Sequence, residues 1–378
     1  MAFRTPLRRA LLLLVAAAGI GFWGWRFVRM PRDLSVCTTD FSAFYAGGKL
    51  AGTPQTYSPE AVFAAEDRAT GCHIDNLIFI KPPFYAVLMW PLAQLPFAAA
   101  IFIWRVLGLA ALGVFLWLWP GDRLAHLAGC AWFLPVATSF NVGQDVAFVL
   151  AAATGAYLLL RKGRFWLAGI LFGVCAIKFH LLLLLPLLIV HRRWWRTAMG
   201  ALATGAVFLA ISFAAYGAGW PRRYWTALGD PRLHPYPWNM VNLAGLFRYQ
   251  WNWAIACAIP VALLCWYLIA AGKLELAVAA VLAGGTLIAP HNTISDGVLF
   301  LPLLFWSGQS RFAAARAAAV FALTPFYAFL PSGTLQVVIV MLLAAAGYQT
   351  YRALHAGGRT AGITGMSPDG VPRNGAPV

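Results

Sequence analysis

Long apolar segments separated by short polar ones make up most of the chain. After the basic N-terminus, one apolar run extends from Ala10 to about Phe27, and comparable runs occupy residues 98–119 and 198–216. A helix that crosses a bilayer needs about 20 mostly apolar residues, so each run predicts a membrane span. The first run is longer than a signal-peptide core and shows no convincing cleavage site, which favours an uncleaved helix.

Short basic loops predict on which side of the membrane each turn lies, because Lys and Arg accumulate in cytoplasmic loops. Three such clusters are Arg8-Arg9, residues 161–164 and residues 191–196. Since the last two are both predicted inside, the apolar stretch between them must form a hairpin. Its polar interruption, Lys178 to His180, then reaches the outer side.

Alternation from these clusters assigns the other turns. The inner set is residues 121–123, Lys273, residues 309–311 and the chain from Arg352, and the outer set is residues 29–82, 141–145, 217–252, 291–296 and 331–334. The pattern predicts an all-α integral membrane protein with about twelve spans. One membrane domain then covers residues 1–356, followed by a disordered tail, 357–378. The short Pro83 to Leu95 segment is predicted to be re-entrant or interfacial.

Composition supports a lipid environment. Hydrophobic residues make up 61% of the 378 and charged residues 11%, too little charge for a soluble surface. The net charge of +16 raises the question of nucleic-acid binding. The basic residues flank apolar segments, however, which is typical of proteins that contact anionic lipid. We therefore predict the lipid bilayer as a partner, and no nucleic acid.

The six cysteines fall into two groups. Cys130, Cys175, Cys257 and Cys265 lie inside apolar segments and are predicted to be packing residues. Cys37 and Cys72 share the first outer loop. If that loop is periplasmic they either form a disulfide or remain free thiols, and the sequence leaves both open.

A short helix is predicted inside the first outer loop. Ser58 and Pro59 form a capping residue followed by proline, and Gly71 marks the end. We interpret the acids of this helix, Glu60, Glu66 and Asp67, as a solvated face.

Asp40 differs from those acids because aromatic residues surround it in sequence. Phe41, Phe44 and Tyr45 follow it closely, shortly after the first apolar run. Apolar surroundings raise the pKa of a carboxyl group towards that of a useful general base. A loop-capping role is the alternative.

Polar residues interrupt the apolar pattern in three further turns. They are Gln144, Asp145, Lys178, His180, His291 and Asp296, and the alternation places all of them on the same side as Asp40. A charged residue between apolar runs is costly and marks a candidate functional site, although headgroups or backbone could satisfy each one alone. The outer loops also carry cations, including Arg222 and Arg223, which an anionic ligand would explain. The sequence has no Cys-x-x-Cys, His-Glu-x-x-His or Walker motif, so we predict neither a metal nor another cofactor.

These residues resemble a known family in order and spacing. The resemblance is carried by Asp40-Phe41, Phe44-Tyr45, Leu50, Gly52, Tyr57, the block from Phe79 to Pro83, Gly143-Gln144, the glycine-rich run from Ala168 to Lys178, and the basic loop at 192–194. This pattern is similar to bacterial glycosyltransferase family 87, polyprenyl-phosphate-mannose α-mannosyltransferases of the glycosyltransferase-C superfamily. It covers residues 35–200 best and is weaker at 285–305.

The resemblance implies the glycosyltransferase-C fold and a metal-independent, inverting sugar transfer at the periplasmic face of a bacterial inner membrane. The expected donor is a polyprenyl-phosphate sugar, a hexose such as mannose. The expected acceptor is a hydroxyl of a glycolipid or glycan. Asp40 maps onto the family's base, while Gln144, Lys178 and His291 map onto donor contacts. Three further residues, Lys81, His180 and Arg222, complete the predicted donor site. The family commonly has Tyr at the position of Lys81.

Two other functions remain open at this point. A transporter or flippase for lipid-linked sugars would show internal repeats and broken helices, and no convincing repeat occurs. A ligase would favour a larger basic outer loop than residues 217–252 provide. A structural scaffold would not require polar residues in three membrane-buried turns.

Overall fold

The computed structural model describes residues 4–31, 36–74, 77–230 and 236–363. Within those ranges the chain is mostly helical and contains no β-strand. Five helices there are long and apolar enough to cross a membrane, or six if one bent pair is a single span. The prediction of an all-α membrane protein is confirmed, whereas the number of spans stays a prediction.

The α-helices follow in chain order. They are Arg4–Val28 (α1), Asp40–Lys49 (α2), Pro59–Thr70 (α3), Pro83–Ala93 (α4), Phe97–Leu118 (α5), Arg123–Trp132 (α6), Leu134–Val142 (α7), Val146–Arg161 (α8) and Phe165–Val174 (α9). The second half contains Leu185–His191 (α10), Trp195–Tyr216 (α11), Trp220–Leu228 (α12), Leu243–Leu246 (α13), Trp251–Ala271 (α14), Leu274–Ile288 (α15), Leu301–Gly308 (α16), Ala313–Ala322 (α17) and Thr334–Ile363 (α18).

Short 3₁₀ helices join several of these elements. They are Pro54–Tyr57, Cys175–Leu181, Pro237–Asn239, Ile294–Phe300 and Pro325–Phe329. Two of them, Cys175–Leu181 and Ile294–Phe300, coincide with polar turns predicted to lie on the outer side. Chain breaks inside an otherwise apolar bundle therefore mark where polar side chains enter it.

Turns predicted to be cytoplasmic contact one another. Arg8 Nη1 lies 2.6 Å from Asp122 Oδ2, and a Cβ added to Gly121 would lie 2.8 Å from Gln309 Nε2. Arg192 Nη2 donates to the carbonyl of Gly272 at 2.9 Å, beside the turn that holds Lys273. Turns that the basic-loop pattern groups together thus meet in pairs.

A sharp bend separates α7 from α8. The two helices meet at 119°, and Gly143 between them has a φ of 70°. Left-handed backbone of this kind favours glycine, and a Cβ here would approach Phe41 Cβ to 2.7 Å. The indole nitrogen of Trp104 donates to the Gly143 carbonyl at 2.8 Å. The bend brings Gln144 and Asp145 to the tip of a helix pair.

The predicted hairpin between the two basic clusters breaks where its polar residues lie. α9 ends at Val174, and Lys178 leaves helical geometry with φ −136° and ψ 51°. The chain resumes as α10 after Leu184. The break frees the Lys178 side chain to point across the bundle instead of along its own helix.

The first loop is more structured than its sequence predicts. The predicted helix is confirmed as α3, with Ser58 accepting from the Ala61 N–H and Gly71 in left-handed backbone. Helix α2, which begins at Asp40, was not predicted. A disulfide joins Cys37 to Cys72, with their Cα atoms 5.6 Å apart, so the paired alternative holds.

The four cysteines outside the disulfide are not bonded to one another. Cys130, Cys175, Cys257 and Cys265 are free, and all except the half-buried Cys257 are buried, as packing residues should be.

The Pro83 to Leu95 segment forms α4. Helix α18 continues to Ile363, past the predicted start of the tail at 357. Residues 364–378 lie outside the described ranges, and the domain boundary stays a prediction.

The disulfide gives a test of the first loop. With protein purified without reductant and then denatured, maleimide-PEG should label four thiols, and six after reduction, because six cysteines include four free ones. Loss of the cross-link should destabilise the protein by about 3–4 kcal/mol on the loop-entropy model. The double variant Cys37→Ser/Cys72→Ser should show four thiols in both conditions. Six thiols in the unreduced wild type would contradict the pairing.

Candidate active site

Four charged side chains from distant parts of the sequence form a buried row. Lys81 Nζ lies 2.7 Å from Asp145 Oδ2. Lys178 Nζ lies 3.3 Å from Asp145 Oδ1 and 2.7 Å from Asp296 Oδ1. All four residues are buried, with at most 7% of their surface exposed. We call Lys81, Asp145, Lys178 and Asp296 the charge row; its two cations and two anions balance.

Each member of the charge row is held by a break in regular structure. Lys81 precedes the two prolines that start α4, and Asp145 lies at the bend before α8. Lys178 lies at the break after α9. Asp296 closes a capping box, because its Oδ2 accepts the Thr293 N–H at 2.9 Å. Interrupted helices therefore deliver charges that continuous apolar helices would exclude.

Aromatic rings enclose one end of the charge row. Lys81 Nζ lies 5.2 Å from the ring centroids of both Phe44 and Tyr85. A cation over aromatic faces gains electrostatic stabilisation without losing its carboxylate partner. Phe44 belongs to α2, so the same ring links the row to the helix that begins with Asp40.

Asp40 is half-buried beside the charge row. Gln144 Nε2 donates to Asp40 Oδ2 at 2.6 Å. Burial raises the pKa of Asp40, while the Gln144 hydrogen bond and the nearby Lys178 charge oppose that rise. A carboxylate whose pKa is raised in this way is a better proton acceptor than a solvated one. The structure thus brings the predicted residues Asp40, Gln144, Lys81 and Lys178 together, and their roles stay predictions.

The two predicted histidines also meet. The ring centroids of His180 and His291 lie 6.3 Å apart, and both residues are half-buried. The charge of Lys178 and that of Asp296 both act on His180, so the pair lies beside the row.

Arg222 does not join this group. It is exposed on α12, and no hydrogen bond or ion pair within the described ranges joins it to Asp40 or the charge row. Its neighbour Arg223 donates to the Tyr216 carbonyl at 2.9 Å.

The sequence alone did not predict the ion pairs that the two acids of the charge row make. Asp145 and Asp296 were placed on the outer side, but their pairing with Lys178 and Lys81 was not foreseen. No periodic signal marks it, because the partners lie 33 to 118 residues apart.

Glu66 was predicted to be solvated, and this is wrong. It is fully buried, and its Oε1 lies 2.7 Å from Ser42 Oγ. The spacing of Val62, Glu66 and Thr70, all buried on one side of α3, was a signal for this. Glu60 is exposed, as predicted.

Burial favours a protonated Glu66, and its contact with Ser42 is compatible with that state. Ser42 Oγ also lies 2.8 Å from the Thr39 carbonyl oxygen, which can only accept. A hydroxyl has one hydrogen, so when Ser42 donates to Thr39, Glu66 must donate to Ser42. Burial raises the pKa of Glu66 to about 8, against the lowering effect of Ser42, and the charges of Asp67 and Asp40 raise it further. A neutral Glu66 thus braces the first turn of α2, next to Asp40.

Within the described ranges no cluster of three or more His, Cys, Asp or Glu side chains is arranged to hold a metal ion. The polar groups at the site are instead paired with one another. What the arrangement offers chemically is a proton acceptor, Asp40, next to fixed charges in a largely apolar surrounding.

The fold and site define an integral membrane protein with a buried polar centre built at helix breaks. Residues 79–291 match the model of Glycosyltransferase family 87, which is more than half of the chain, and the chain belongs to that family. The resemblance drawn from its motifs is confirmed.

Two curated relatives carry the same name, polyprenol-phosphate-mannose-dependent alpha-(1-2)-phosphatidylinositol pentamannoside mannosyltransferase. The Mycolicibacterium smegmatis protein is 30% identical over 275 residues, which cover 65% of this chain and 64% of the relative. The Mycobacterium tuberculosis protein is 30% identical over 197 residues, which cover 48% of this chain and 42% of the relative. The chain thus matches less than two thirds of either relative's length. No solved structure matches the chain significantly.

Removing Lys178 should destabilise the protein, because Asp296 would stay buried without its cation. We expect Lys178→Met to lower the free energy of unfolding by about 3–5 kcal/mol, the usual cost of breaking a buried pair. Thermal unfolding in detergent measures the loss. Lys162→Met, at an exposed lysine, is the matched control. The double variant Lys178→Met/Asp296→Asn should recover part of the lost stability. If Lys178→Met were as stable as Lys162→Met, the ion pairing within the charge row would be refuted.

Glu66 should make stability depend on pH. Its folded-state pKa of about 8 lies above the ordinary value of 4.5. Between those values the unfolded chain releases a proton that the folded protein keeps, so stability falls as pH rises through that window. Glu66→Gln keeps the donor to Ser42 and removes this loss.

The measurement is the free energy of unfolding of Glu66→Gln and wild type from pH 5 to 8. Their difference should grow with pH in favour of the variant, by up to about 1 kcal/mol per pH unit. Glu60→Gln, at an exposed position of the same helix, should show a much smaller trend. A difference that does not change with pH would mean that Glu66 is ionised in the fold.

Proposed function

We propose that this protein is a membrane glycosyltransferase that moves a hexose such as mannose from a polyprenyl-phosphate donor to a hydroxyl of a glycolipid or glycan. Its family and the printed activity of its two relatives support the reaction class. The observation that carries the proposal is Asp40, a carboxylate of raised pKa fixed by Gln144 beside a buried charge row.

Asp40 acts as the general base. Gln144 holds one carboxylate oxygen, which orients the other towards an incoming hydroxyl. As the acceptor oxygen attacks the anomeric carbon, its proton passes to Asp40, and the donor phosphate leaves from the opposite face with inversion. General-base assistance contributes about 10²–10⁴-fold to the rate. The phosphate is a good leaving group, so the reaction needs no general acid.

The charge row fixes the geometry of this centre. Lys178 divides its charge between two carboxylates, and Lys81 is paired with one of them. Their main role is to lock the α7–α8 bend, the break after α9 and the first loop together. His180 and His291, which lie beside Lys178, are placed to donate hydrogen bonds to the donor.

The site opens to the outer side of a bacterial inner membrane in this proposal. The alternation of basic loops predicts about twelve spans in a single membrane domain over residues 1–356. The resemblance to the family implies the glycosyltransferase-C architecture. The contacts among the turns predicted to be cytoplasmic support that arrangement. The Cys37–Cys72 disulfide in the first loop supports an oxidising compartment on the side of Asp40.

Asp40→Asn should abolish most sugar transfer. The amide keeps the shape and hydrogen-bonding capacity at Gln144 but cannot accept the proton, so the rate should fall about 10²–10⁴-fold. Membranes supplied with radiolabelled polyprenyl-phosphate mannose measure transfer to extracted glycolipid and glycan.

The matched control is Asp67→Asn, an acid of the same loop that caps the Ile74 N–H and lies outside the site. It should retain wild-type transfer. Undiminished transfer by Asp40→Asn removes Asp40 from the base role. Wild-type membranes that move the labelled lipid between leaflets without transferring its sugar would instead identify a flippase.

A further inference from the structure

Arg105 is a cation in the middle of an apolar helix. It belongs to α5, one of the helices long and apolar enough to span a membrane. Its Nε donates to the Phe140 carbonyl at 3.2 Å and its Nη2 donates to the Asn141 carbonyl at 2.6 Å. In the described ranges it makes no ion pair with a carboxylate. A cation at such a position is costly and marks a functional site by default.

An open groove runs along the outside of α5 next to Arg105. Its volume is about 820 Å³, and most of its wall is apolar, with Val36, Phe97, Ile101, Phe102, Val106 and Phe140 among the lining residues. Arg105 is the one charged residue among the described side chains that line it. The groove therefore combines a hydrocarbon-like wall with a single fixed positive charge.

Arg105 also borders a small cavity beside Gln144, the hydrogen-bond partner of Asp40. A second, water-sized cavity of about 30 Å³ is lined by Arg105, Gly143 and Gln144, and Gln144 donates to Asp40. Trp104, the residue before Arg105, has its ring 5.9 Å from the ring of Phe41, the residue after Asp40. The guanidinium thus borders both the groove and the small cavity that Gln144 lines.

Charge balance separates Arg105 from the lysines of the site. Lys81 and Lys178 each have carboxylate partners within the charge row, which is neutral as a whole. Arg105 donates to two carbonyl oxygens, and its Cζ lies 5.6 Å from the centroid of the Phe140 ring. These neutral partners orient its guanidinium without cancelling its charge. An anion entering this part of the protein would find its uncompensated partner at Arg105.

We propose that the groove holds the isoprenoid chain of the lipid-phosphate donor and that Arg105 binds its phosphate. This assignment rests on the proposed sugar transfer. In that reaction the bond between the anomeric carbon and the phosphate oxygen breaks, and the electron pair leaves with the phosphate. The acceptor oxygen forms the new bond and its proton goes to Asp40. A guanidinium donates paired hydrogen bonds to phosphate and offsets the charge that develops there.

Proximity to Asp40 favours the donor over a phospholipid acceptor as the occupant. The donor phosphate is bonded directly to the anomeric carbon, so it must lie near the base. The phosphate of a glycolipid acceptor is separated from the attacked hydroxyl by its glycan and has no such requirement. A groove beside the base with one cation fits the donor.

Binding of unglycosylated polyprenyl phosphate to the purified full-length protein tests the proposal without needing turnover. Native mass spectrometry in detergent should show at least about tenfold weaker binding for Arg105→Gln, the loss expected for a charged hydrogen-bond partner. Arg105→Lys should bind better than Arg105→Gln because it keeps the charge. Arg123→Gln, at an exposed arginine on α6, is the matched control and should bind like wild type.

A second variant tests the groove with Arg105 intact. Ala98→Trp places a bulky ring on the exposed groove wall, so it should weaken binding of long-chain polyprenyl phosphate and leave a short-chain isoprenyl phosphate unaffected. In transfer assays, Arg105→Gln should raise the KM for the donor at least about tenfold, while the KM for the acceptor stays the same.

Three results would overturn the assignment. The first is a folded Arg105→Gln protein that binds polyprenyl phosphate as tightly as wild type. The second is an Ala98→Trp variant that weakens binding of long-chain and short-chain lipids equally. The third is a groove that binds phosphatidylinositol in preference to polyprenyl phosphate. A wild-type protein that binds polyprenyl phosphate through Arg105 but transfers no sugar would refute the proposed function and leave the lipid-phosphate site standing.

Discussion

The structure depends on keeping four charges buried together. Lys178 is the centre of this constraint, because it contacts both Asp145 and Asp296. Burying an unpaired charge is far more costly than burying a matched pair. The α7–α8 bend, the break after α9, the turn before Ile294–Phe300 and the end of the first loop must therefore come together as a unit.

That constraint explains why so many helices here are short or broken. A continuous apolar helix could not present Lys178 across the bundle, and a straight α7–α8 helix could not place Asp145 between two lysines. Gly143 permits the bend through its left-handed backbone, and Trp104 closes it by bonding to the Gly143 carbonyl. The irregular backbone is tolerated because it is buried in protein, where side chains satisfy it.

The first loop is fixed to the membrane portion by the same centre. Lys81 ties the end of the loop to Asp145, and Gln144 ties the start of α2 to the bend. Glu66 and Ser42 support α2 from the other side, and the disulfide closes the loop near its base. Asp40 thus has a defined position although it lies outside the long apolar helices, and a base needs such a position to act on a bound hydroxyl.

The sequence determined those features that depend on local pattern. Apolar run length fixed α1, α5 and α11, and the Ser58-Pro59 cap and Gly71 fixed α3. Motif spacing identified the family, and the basic-loop alternation placed Asp40, Gln144 and Lys178 on one side. Each of these signals lies within one turn, one helix or one short motif.

Only the tertiary structure decided which polar groups are partners. The pairing of Lys178 with Asp145 and Asp296, the burial of Glu66, the separation of Arg222 from the site and the exposure of Arg105 to a groove all depend on helix breaks and crossing angles. Residues 33 to 118 positions apart leave no periodic trace of their contact. A charge buried in an apolar bundle is stable only beside its counter-charge, and the packing of the whole chain sets where that counter-charge lies.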